Sequence, residues 1–84
     1  MNICESLNLA VNTKAAPSRA ITFDPRIDIN IYDTLWKYLA DNDIKSGPQD
    51  DENDFLNAVD IISDFVKNAR KTYNNFDQVS FWID

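Results

Sequence analysis

Eighty-four residues allow one small core, and a chain that is 44% apolar and 12% aromatic is not a disordered acidic tail. Fourteen acids against 8 bases leave a net charge of −6, which argues against direct nucleic-acid binding, because that needs cations to displace counterions from phosphate. A single cysteine, Cys4, precludes an intrachain disulfide and a thiolate metal cluster, and the lack of histidine precludes an imidazole base or ligand.

In chain order, the first segment is ICESLNLAV, residues 3–11. Leu7, Leu9 and Val11 alternate as in a strand. Asn2 and Glu5 could instead cap a short helix with Ile3, Leu7, Ala10 and Val11 on one face. The strand is the favoured reading. The stretch MNICESLNLAVNTK lacks the basic and long apolar regions of a signal peptide. No apolar run approaches the ~20 residues of a membrane span. With one cysteine, this favours a reducing, cytoplasmic setting.

NTKAAPSR reads as a loop and AITF, residues 20–23, as a short strand. Asp24-Pro25 is a turn or a helix start. In RIDINIYDTLWKYLADN the apolar period shifts from alternation at Ile27, Ile29 and Ile31 to helical spacing at Ile31, Leu35, Tyr38 and Leu39. This predicts a helix over about 28–41. A second helix is predicted over DFLNAVDIISDFVKNARKTY. Its stripe of Phe55, Ala58, Val59, Ile62, Phe65, Val66, Ala69 and Tyr73 has steps of three and four. Acids crowd its first turn, and Lys67, Arg70 and Lys71 lie towards its end, as the helix dipole favours. NNFD breaks that helix. In the closing QVSFWID, Val79, Phe81 and Ile83 alternate with Ser80 and Trp82, predicting a half-buried strand. The expected fold is α+β over residues 1–84: two main helices packed on a small two- or three-stranded antiparallel sheet. Pairing the first strand with the last would close it. A mainly α arrangement is the alternative.

Between the two helices lies DNDIKSGPQDDEND, residues 41–54, with six acids and one base, Lys45. Counted from Asp41, the acids Asp41, Asp43 and Glu52 fall on positions 1, 3 and 12 of a calcium-binding EF-hand loop. The rest departs from that pattern. Lys45 stands at an oxygen-ligand position, Ser46 stands where Gly is needed, and Pro48 cannot donate the bridging N–H. No metal and no cofactor is therefore expected. Catalysis is not expected either. Cys4 has no basic neighbour to activate it, Asp60 and Asp64 should be solvated, and one Gly cannot make a phosphate-binding loop.

A surface remains. Asp41, Asp43, Asp50, Asp51, Glu52 and Asp54 lie in the loop and first turn, and Asp60 and Asp64 extend the charge along the second helix beside Asn53 and Asn57. Carboxylates spaced along a rigid element can occupy the positions of backbone phosphates and meet a basic groove with complementary charge. A merely solvated polar face is the competing explanation. Trp36 lies off the centre of the first helix's stripe, and Trp82 is out of phase with the apolar residues of the last strand. Both are candidate contact residues, since exposed Trp is enriched at interfaces.

This character is similar to small acidic inhibitors of phages and mobile elements, namely anti-CRISPR and anti-restriction proteins that imitate nucleic acid, and to immunity proteins that block nucleases. The likeness is compositional. NIYDTLWKYLADN, with a late helix running into a closing strand, also resembles the barstar family over part of the chain. The expectation is a non-enzymatic inhibitor whose partner is a protein with a basic, nucleic-acid-binding surface. An immunity protein or antitoxin, and an oligomeric structural or adaptor protein, are the alternatives. A homodimer is left open.

Overall fold

A computed structural model describes residues 3–11, 19–27, 30–45 and 47–84. In chain order the elements are α1 (Ile3–Ser6), β1 (Leu7–Val11), β2 (Ile21–Phe23), α2 (Ile31–Asp41), α3 (Glu52–Thr72) and β3 (Val79–Ile83). The α+β architecture is the expected one. Residues 3–11 contain both conformations that the sequence suggested: one helical turn, then a strand.

The strand order is β1-β3-β2, with both outer strands antiparallel to β3. Leu7, Leu9 and Val11 pair with Ile83, Phe81 and Val79. Ile21 and Phe23 pair with Phe81 and Val79 from the other side. Alternation puts all eight on one face. There Phe81 meets Phe23 and Tyr38 edge-on, at centroid distances of 6.0 and 5.1 Å. The Tyr38 hydroxyl is buried without a hydrogen-bond partner among the described residues. Burial of its ring offsets that polar cost.

The opposite face carries Asn8 and Ala10 of β1, Thr22 of β2, and Ser80 and Trp82 of β3. The sequence predicted β3 to be half-buried, but Ser80 is buried too. A central strand has neighbours on both sides, and the Ser80 and Thr22 hydroxyls satisfy each other at 2.8 Å.

α2 begins at Asn30, whose side chain accepts from the Asp33 N–H and donates to the Asp33 carboxylate. Its helical part is shorter than the predicted 28–41, and residues 28 and 29 lie outside the described set. The loop expected over NTKAAPSR likewise falls mostly outside it. α3 begins at Asp51, whose carboxylate accepts from the Asp54 N–H at 3.0 Å. Phe55, Ala58, Ile62, Val66 and Ala69 of its stripe are buried with Leu35, Tyr38 and Leu39 of α2. Tyr73, at the stripe's end, is the C-cap residue of α3 and is 54% exposed. Asp24-Pro25 opens a turn: Asp24 accepts from the Arg26 backbone and guanidinium, and the Ile27 N–H bonds the Asp24 carbonyl.

Candidate protein-binding surface

The acidic segment is shaped at its start by the end of α2. Asp43 has φ 55°, in the left-handed region. The Asp43 N–H bonds the Ala40 carbonyl and the Ile44 N–H bonds the Leu39 carbonyl, at 3.2 and 2.9 Å. This is a Schellman cap, with Ile44 turned in to pack on the core. Further along, the N–H groups of Asp50 and Asp51 both bond the Gly47 carbonyl at 3.0 Å. Asp51 is then spent as the N-cap of α3. The segment is thus two helix caps joined by a turn. Among the described residues, no three His, Cys, Asp or Glu side chains are grouped to hold a metal ion.

Asp41, Asp43, Asp50, Asp51, Glu52, Asp60 and Asp64 are exposed. Asp60 and Asp64 lie on the side of α3 opposite Phe55, Ile62 and Val66, so their carboxylates point away from the core. Both ion pairs among the described residues use Arg26, at 3.0 Å to Asp24 and 3.8 Å to Asp77. None of the seven exposed acids from Asp41 to Asp64 takes part in one. The arrangement presents carboxylates without cation partners among the described residues, anchored to a capped loop and a helix.

Asp54 departs from this surface. The sequence placed it in an exposed first turn, but it is 5% exposed. One carboxylate oxygen accepts from the Ile3 N–H at 2.7 Å and the other from the Cys4 N–H at 3.4 Å. The Cys4 thiol donates to the Asp54 carbonyl at 3.3 Å. Asp54 therefore caps α1 from 51 residues away and ties it to α3. Partial burial, helped by the Asp54 carboxylate, pushes the Cys4 thiol up to about 11. The sequence held one signal for this role. Asp54 precedes Ala58 and Ile61 by one and two turns, on the flank of the apolar stripe rather than on the polar face.

The two tryptophans separate. Trp36 is 46% exposed and its indole stands 3.9 Å from where a Cβ on Gly47 would lie. With Ile44, Pro48 and Asp50 it borders a cleft of about 130 Å³. Trp36 and the acidic loop are therefore one continuous patch. Trp82, half-buried and paired with Asn8, lies on the sheet face that carries Ser80 and Thr22. It does not join that patch.

No family model, curated protein or solved structure matches this chain. No helix among the described residues is long and apolar enough to cross a membrane.

Proposed function

We propose that this protein is a non-enzymatic inhibitor that covers the basic, nucleic-acid-binding surface of a partner protein in the cytoplasm, in the manner of anti-CRISPR and anti-restriction proteins. The supporting observation is the set of exposed carboxylates at Asp41, Asp43, Asp50, Asp51, Glu52, Asp60 and Asp64, none of which has a cation partner among the described residues. Unpaired charges on a fixed frame are available to a partner's lysines and arginines, and they speed its approach. Trp36, beside the loop, supplies apolar area at the edge of the charge. That aromatic contact favours an immunity protein or antitoxin as the second reading.

The test is affinity capture from a lysate with the wild-type chain and with a variant combining Asp41→Asn, Asp43→Asn, Asp50→Asn and Glu52→Gln. The wild type should retain nucleic-acid-binding proteins, release them as salt rises, and lose them to added DNA. The variant should fold normally, because exposed charges add little to stability, and should retain much less. Equal capture by both chains, or capture only of proteins that do not bind nucleic acid, sinks the proposal. Capture that resists salt but fails in Trp36→Ala favours the second reading.

A further inference from the structure

Among the described residues, the Tyr38 hydroxyl is the one buried side-chain polar atom without a hydrogen-bond partner. Burying a hydroxyl unpaired is costly, and folded proteins rarely leave one so. A cleft of about 260 Å³ opens where Tyr38 stands, between the end of α2 and the start of β2. Arg19, Ala20 and Ile21 line it from one side, and Tyr38, Asp41 and Asn42 from the other. Steps of three and four put the last three on one face of the helix end. The Tyr38 carbonyl already accepts from the backbone N–H and the side-chain amide of Asn42, at 3.1 and 2.9 Å. The Tyr38 ring meets that of Phe81, and Phe81 pairs with Ile21 of the cleft. What Tyr38 brings to the cleft is thus its side chain, which ends in the hydroxyl.

The walls carry opposite charges that do not neutralise each other. Arg19 and Asp41 line one cleft, yet both ion pairs among the described residues use Arg26. The last turn of α2 holds no basic residue, so the negative end of the helix dipole adds to Asp41. A simple anion would meet Asp41, and a simple cation would meet Arg19. An apolar ligand would strip water from both charges and leave the hydroxyl unpaired. A zwitterion complements both walls. The cleft is smaller than the roughly 300–1,000 Å³ of drug-sized ligand sites, so that zwitterion is small.

We propose that this cleft binds a small free α-amino acid with a short polar side chain. Its carboxylate pairs with the Arg19 guanidinium and its ammonium with Asp41 at the end of α2. Its side chain forms a hydrogen bond with the Tyr38 hydroxyl. Serine is the simplest molecule of this description. Asp41 also belongs to the acidic surface, but the site does not rest on that reading, and its test uses no other protein.

The experiment is an NMR titration of the full chain with L-serine. N-acetylserine lacks the cation, serinamide lacks the carboxylate, and alanine lacks the hydroxyl. Serine should shift the amide signals of Ala20, Ile21 and Asn42 saturably, with one dissociation constant. The other three ligands should each bind about tenfold more weakly, as should serine to Arg19→Gln or to Asp41→Asn. Tyr38→Phe keeps the ring and removes a hydroxyl that bonds nothing among the described residues. Its thermal melts should show no loss of stability, while its serine affinity falls about tenfold. A structural tyrosine would give the reverse, a lower melting temperature with serine binding unchanged. That result overturns the proposal. So does the absence of saturable shifts with serine, and so does N-acetylserine or serinamide binding as tightly as serine.

Discussion

At the scale of single residues, Asp54 carries more of the fold than its acidic neighbours. A one-turn helix such as α1 cannot satisfy its own N–H groups, and its chain start is buried at Ile3. The Asp54 carboxylate takes two of those donors. Asp54→Ala strands a buried N–H, and urea unfolding should show a loss of about 1–3 kcal/mol. Asp54→Asn keeps an acceptor and should lose less. Equal losses would mean that the contact with Ile3 is not what holds α1. Cys4, alongside, gives a pH signature. Below its ordinary value of 9.0, folded and unfolded chains both keep the thiol proton, and the folded state has its full advantage. Above 9.0 the unfolded chain releases the proton while the folded chain keeps it until about 11, so stability falls across that interval. Cys4→Ser removes this titration. Unfolding midpoints of the variant should decline less steeply with alkali than those of the wild type, and parallel curves would refute the assignment.

At the scale of elements, caps decide where the helices stop and start. Asp43 occupies the left-handed position that glycine fills without strain, at a cost of roughly 1–2 kcal/mol for a residue with a Cβ. Asp43→Gly should raise stability by about 1 kcal/mol in thermal or urea melts, with the α2 end unchanged. A loss would show that the carboxylate makes a contact worth more than the strain. The stripes of α2 and α3 and the alternation of β3 were legible because burial imposes a period on the chain. The switch from helix to strand at Ser6 was not, since four residues are too few to express either period and α1 depends on Asp54. Asp54 itself looked exposed because its position in the first turn of α3 does not reveal that a segment 50 residues earlier arrives beside it.

At the scale of the whole molecule, charge was the most legible property and its arrangement only partly so. The count of acids was plain from the sequence, and so was their order ahead of the bases on α3. That β1 runs alongside that gradient is a tertiary fact that composition cannot carry. Nor could composition assign Trp36 and Trp82 to different faces.

The middle place of β3 in the sheet also constrains how the chain can be made. β1 and β2 touch β3 and not each other. A ribosome releases residues 7–11 and 21–23 well before residues 79–83, so neither early strand has a template while most of the chain emerges. Helical turns form locally within that time, but strand pairing must bridge up to 76 residues, from Leu7 to Ile83. Until then the uncharged β1 is an unpaired adhesive segment. Sheet assembly is therefore a single late event rather than a progressive one, and a chain that stalls before Val79 has helices but no sheet.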